Sequence, residues 1–188
     1  LLVNDGTITA TDVEANNAIA LAGGAITATN VNSGTTMHIA AGTVNSTNIT
    51  AGTNMSIVGG TVDAESVTAN EEMNISGGMV TSTNVNSGTA MEIAGGEINA
   101  TNVHSGTNME IAGGEIASTN VNSGTAMEIS DGTINATNVN AGTTMDITGG
   151  LVNAAHLTAD TTMTMAGGTI NTGAGEGTLQ ATNINMNK

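Results

Sequence analysis

The side chains able to do chemistry are few, and one repeat period places most of them. The 188-residue chain has 16 Asp and Glu, three His, no Cys and a single Lys or Arg, Lys188. Glu92, Glu110, Glu128 and Asp146 recur with a period of 18 residues. Stacked at a strand spacing of about 4.8 Å, such carboxylates repel one another. The row is tolerable if solvated, and it becomes favourable if calcium, which accepts carboxylate ligands, bridges it. A calcium ladder on these four residues is therefore the metal site that the spacing offers; the plainer reading is an acidic face that keeps the protein soluble. No other cofactor is expected. Glu97, Glu115 and Asp131 lie near this row, and Asp63, Glu65, Glu71 and Glu72 form a second acidic group with the same two readings.

Catalysis finds little to work with. His38, His104 and His156 fall at three different places in the period, so no Ser-His-Asp or His-His-carboxylate group can be assembled from them. A lyase acting on acidic sugars needs a cation for the substrate carboxylate, and the only Lys is the last residue. A glycoside hydrolase needs two carboxylates facing each other in a cleft, which short corners do not build. The run Gly-Ala-Gly-Glu-Gly at 173–177 lacks the Lys-Ser/Thr of a phosphate loop and the Asp of a calcium-binding repeat. The sequence reads as a protein that is not an enzyme.

A formal net charge of −15 disfavours partners that carry negative charge. Nucleic-acid backbones and anionic membrane surfaces both select clustered Lys and Arg, so neither is expected as a partner. No apolar run is long enough to span a bilayer as a helix, so membrane insertion is not expected either. The absence of Cys removes disulfides and thiolate chemistry but leaves the redox compartment open. The opening Leu-Leu-Val-Asn-Asp-Gly already lies in the repeat and does not resemble a signal peptide, which suggests a mature or excised piece of a longer chain.

The same period dictates the scaffold. Ile8, Ile26, Val44, Val62, Val80, Ile98, Ile116, Ile134, Val152 and Ile170 occupy one slot without an insertion. Five residues later come Val or Ile, and eleven later a methionine column: Met37, Met55, Met73, Met91, Met109, Met127, Met145 and Met163. Apolar residues alternate with period two, β-branched residues are common and Gly-Gly interrupts nearly every repeat, so the elements are strands. Residues 98–100, 103–105 and 109–111 form three short strands, with corners at 101–102, 106–107 and 112–114. Three strands and three corners in each repeat make an all-β, three-sided parallel β-solenoid (β-helix) of nine to ten turns, with 18 residues per turn. It is expected to be right-handed and roughly 45 Å long.

With no Phe, Tyr or Trp, the core must be built from many small contacts, and flexible Met fills its irregular centre. Asn30, Asn48, Asn84, Asn102, Asn120 and Asn138 share a corner slot where stacked amides can bond from turn to turn, interrupted by Asp12, Ser66 and His156. Gly34, Gly52, Gly88, Gly106, Gly124 and Gly142 mark a corner that requires positive φ or room for a close neighbour. The regular repeat covers residues 1–170; residues 171–188 read as an irregular Gly-rich loop followed by a return to the repeat at Leu179.

Thr-x-Thr pairs such as Thr27 and Thr29, or Thr81 and Thr83, line one outward face, a pattern seen on ice-binding solenoids, although Asp63 and Glu65 interrupt it. With Ile-Ala-Gly-Gly-Glu-Ile-Asn-Ala-Thr-Asn-Val in view at 93–103, the chain resembles the β-helical stalks of bacterial surface proteins of the filamentous haemagglutinin type. That resemblance implies an extracellular or cell-surface rod used for attachment, reach or matrix building. Neither end shows a helix, aromatic plug or Lys cluster that would block strand addition, so self-association head to tail is expected. A surface that binds ice or a polysaccharide is the alternative.

Overall fold

The computed structural model describes residues 1–173 and 177–186. Among them every element is a strand, and every strand pair is parallel. Met55, Met73, Met91 and Met109 are successive partners across strands, so one repeat of the sequence is one turn of the coil. Ten positive-φ glycines, from Gly6 to Gly168, mark ten successive passages of one corner. The fold is a β-solenoid of about ten turns.

Each turn differs in one respect from three separate strands. Glu97–Ser105 is a single strand of nine residues, like Met79–Ser87 one turn earlier, which is followed by the short third strand Met91–Ile93. The expected corner at 101–102 is a bend within this strand. Its ladder passes from Ser82–Ala100 to Asn84–Asn102 without a rung at Thr101. The inward side shifts at the same place: Ile98 is buried before it, and Val103 and Ser105 are buried after it. One skipped rung therefore turns the first face into the second without ending the strand. At two levels the chain also runs through the glycine corner, giving strands Met109–Ser123 and Met127–Ala141.

The bend is finished by small polar side chains. Ser46, Ser82 and Ser118 each lie within 2.7–3.3 Å of two carbonyl oxygens, one on their own turn and one on the turn before. Each hydroxyl has one hydrogen to share between them. At the next corner Ser105 and Ser123 do the same, with oxygens 2.6–2.7 Å away. Ser33, in the same slot, keeps a buried hydroxyl with no such partner.

Two kinds of glycine shape the other corners. Gly114 has φ +78°, and a Cβ built there would lie 2.7 Å from the Gly96 carbonyl oxygen, so both conformation and space demand glycine. Gly106 and its equivalents have no positive φ; there it is the carbonyl of the preceding turn that leaves no room for a side chain. Of the two reasons expected for that column, only the close neighbour applies. Where Asp replaces the first glycine of the pair, its carboxylate accepts the next amide: Gly6 N–H to Asp5 at 2.7 Å and Gly132 N–H to Asp131 at 2.8 Å.

The core is the interior of the coil. All eight column methionines are buried to 1% exposure or less, as are Ile39, Ile57, Ile75, Ile93, Ile111, Ile129 and Ile147 two residues beyond each. The last turn keeps these slots but shifts its numbering. Leu179 pairs with Leu157, an offset of 22, and Ile184 and Met186 pair with Met163 and Met165, an offset of 21. The stretch from 179 therefore completes an interrupted turn instead of opening a new one, and Ile184 takes a methionine slot. The middle of the Gly-rich segment, residues 174–176, and the final Asn187 and Lys188 lie outside the described residues.

Candidate functional site

Alternation places Glu92, Glu110, Glu128 and Asp146 outward between buried Met and Ile, because a strand sends successive side chains to opposite faces. They are exposed, and they are direct partners across successive turns. Asn74 extends the row and donates its amide to Glu92 Oε2 at 2.7 Å. The carboxylates thus line up along the axis and do not converge on a point. Among the described residues, no group of three or more His, Asp or Glu is arranged to hold a metal ion.

The row borders a groove that single columns of the sequence do not reveal. Thr36, Asn54, Glu72 and Asn108 form one rail, and His38, Ser56, Asn74, Glu92 and Glu110 the other, with the methionine strand as the floor. Its volume is about 650 Å³ over five turns. The sequence shows only its borders: a polar residue follows every column Met and precedes all but Met91 and Met127, where Ala90 and Ala126 stand. A shallower groove of about 490 Å³ lies over the bend on the first face, between Asn45, Asp63 and Thr81 on one side and Thr47, Glu65 and Thr83 on the other. The residues of the Thr rows thus border a hollow at this place.

Asparagine amides stitch the turns together along the second face. Asn102 donates to Asn84 at 2.9 Å, Asn120 to Asn102 at 2.8 Å and Asn138 to Asn120 at 2.8 Å. A shorter run joins Asn48 to Asn30 at 3.0 Å and Asn30 to the Asp12 carboxylate at 2.7 Å. Asp12 is therefore an acceptor at the foot of the ladder, and Ser66 separates the two runs, its hydroxyl turned to Thr68 at 3.3 Å. Two further ladders were not expected from the sequence: Asn140 to Asn122, and Asn171 to Asn153 to Asn135, each link at 2.8 Å.

The histidines remain apart. His38 stands on the groove rail, and His104 lies between Asn86 and Asn122 on the second face. His156 Nδ1 is 2.9 Å from Thr178 Oγ1 on the last turn. Each end of the coil, by contrast, gathers apolar residues in core slots or beside them. Leu1 and Leu2 are exposed at one end, and Leu179, Ile184 and Met186 at the other, with Met186 64% exposed.

Set against known proteins, the chain matches no family model, no curated protein and no solved structure.

Proposed function

We propose that the chain is a non-enzymatic structural protein, a segment of an extracellular fibre or adhesin stalk that works by stacking β-solenoid turns. The observation that carries this reading is the unbroken stack of turns, in which Met55, Met73, Met91 and Met109 are partners from one turn to the next. A turn pairs its strands on both sides and buries its core slots only when another turn lies on each side of it, so the fold favours continued stacking. Along the rod each turn is covered by the next through the same slots, so the surface that best covers an end is another turn of the same kind. The filamentous haemagglutinin-type resemblance points the same way, towards a cell-surface rod. Stacking occurs either within a longer run of repeats or between copies.

Electron microscopy of the purified chain at rising concentration tests it. Rods longer than about 45 Å, with a fibre-diffraction repeat near 4.8 Å, are expected; a monomer unchanged by concentration with both ends exposed overturns it. The 650 Å³ groove favours a second reading, a surface for a linear ligand such as a polysaccharide. Under that reading, oligosaccharide should shift the amide resonances of Asn54, Asn74 and Asn108 and leave the second face unchanged.

A further inference from the structure

The faces of the coil divide the charge unequally. The third face carries Glu92, Glu110, Glu128 and Asp146, and the first carries Asp63 and Glu65. The second face has two outward columns, one from Asn30 to His156 and one from Asn32 to Thr158, and neither holds an Asp, Glu, Lys or Arg. Its rungs run from Asp12 to His156 without a register shift. In a chain of net charge −15, this is a neutral, regular strip along an acidic rod.

The strip is also self-complementary. An asparagine amide offers two N–H donors and a carbonyl with two lone pairs. Asn120 uses one donor on Asn102 and one lone pair on Asn138, so half of its capacity lies outside the ladder. Asn140 and Asn122 are joined in the same way in the neighbouring column. The ladders hold these side chains in place, so docking on them orders little that is still mobile. A partner that matches every amide must repeat at the strand spacing of about 4.8 Å and present both donors and acceptors. The second face of another copy does both, and facing sheets with asparagine ladders pack closely in this manner.

We infer that the second face is a lateral docking surface for a second copy of the chain, with the two rods antiparallel. This pairing is side by side and does not rest on end-to-end stacking. Charge sets its direction. In a closed two-fold pair with parallel rods, opposite edges of the strip meet at the same level. Asp12 then faces Glu14, and Glu65, at the bend, faces Glu71 on the far edge. With antiparallel rods each edge meets its own kind at a different level. The register that sets Asp12 and Glu14 against His156 and Thr158 puts the two-fold axis at Asn84, and leaves Glu65 opposite Thr101 and Glu71 opposite Thr107. No carboxylate faces another, and an imidazole can donate a hydrogen bond to Asp12. The strip is about 38 Å long and about 13 Å wide, so the pair buries roughly 1,000 Å² in total. That is near the lower bound for a specific interface, and a weak, reversible dimer is expected.

Sedimentation equilibrium of the full chain tests this. Asn84→Asp brings two carboxylates together on the axis but still accepts from Asn102, as Asp12 accepts from Asn30, so the ladder is kept. It should weaken dimerisation by about tenfold or more. Thr27→Asp adds the same charge on the first face, between the uncharged Thr9 and Asn45, and should change little. Equal weakening by both, or a wild-type chain that stays monomeric at millimolar concentration, refutes the docking surface. So does a monomer whose second-face amide resonances shift with a neutral oligosaccharide, which assigns the face to a polysaccharide. Direction is read by cross-linking, since the chain has no native Cys and facing sheets stand about 10 Å apart, within reach of a short bis-maleimide. A mixture of Thr50→Cys and Asn122→Cys chains should be joined and Thr50→Cys alone should not; a Thr50→Cys homodimer sets the rods parallel and overturns the arrangement. Electron microscopy separates this inference from the stacking reading. Rods that lengthen but stay one coil wide refute lateral pairing alone, and paired rods that do not lengthen support it while refuting stacking between copies.

Discussion

Gly6 and Gly114 share a slot and nearly a conformation, with φ +82° and +78°, yet they live in different surroundings. A Cβ on Gly6, in the first turn, would meet nothing within 4 Å, whereas one on Gly114, in the middle, would run into the backbone of Gly95 and Gly96. The apolar slots repeat the contrast. Ile111 is fully buried in mid-rod, while Ile184 in the last turn is 45% exposed. The residue type at a slot decides which way it points; the neighbouring turns decide what it is worth. Stability in this coil belongs to the interface between turns, as in other one-dimensional repeat folds.

Cutting the core at both places should give the largest difference. Ile111→Ala removes a sealed side chain and leaves a cavity, which should cost about 2–5 kcal/mol. Ile184→Ala should cost less than about 1 kcal/mol, since its side chain is already half in water. Urea unfolding of the two variants checks this, and equal losses would mean that the turns do not share their stability in this way. The glycine pair comes next. Gly6→Ala should cost about 1–2 kcal/mol for the left-handed backbone alone. Gly114→Ala adds a backbone clash and should reach about 2–4 kcal/mol, read from the same unfolding curves.

The ladder offers a finer comparison. Asn120 donates to Asn102 and accepts from Asn138, while Asn48 donates to Asn30 and has Ser66 above it. Asn120→Ala should therefore cost about 1–2 kcal/mol and Asn48→Ala about half as much. Hydrogen exchange should localise the loss to the second face near the substitution. Equal effects would mean that the amide stack adds nothing beyond its backbone.

Slot identity is legible in the sequence because the period has no insertion before Ile170, and alternation alone then sorts Met37 inward and Glu110 outward. What the sequence does not carry is what depends on a neighbour in space. The bend at Thr101 keeps its strand because a single rung is skipped, and nothing in the residue types distinguishes that from a true corner. Gly34 and Gly24 look alike in sequence, yet one is glycine because a carbonyl crowds it and the other also because its φ is positive. Leu179 and Ile184 are apolar residues five apart, the spacing that opens a repeat, although in space they fill the second and third faces of an interrupted turn. The groove is hidden for a related reason. It is the space between two outward rows and a property of neither.

The smallest effect separates the acidic row from the groove it borders. Glu110 stands between Glu92 and Glu128, each a direct partner one turn away. Charges about 4.8 Å apart repel by roughly 0.9 kcal/mol in water, and splaying of the side chains together with salt reduces this. Glu110→Gln should therefore raise stability by a few tenths of a kcal/mol at low ionic strength, and the gain should vanish in concentrated sodium chloride. Glu14, whose partner one turn on is the uncharged Asn32, should give no such gain as Gln. Calcium provides the discriminating arm, because a row that does not converge on a point should respond only to ionic strength. A calcium-induced rise in Tm larger than that from sodium chloride of equal ionic strength, and lost in Glu110→Gln, would show instead that the row gathers a cation.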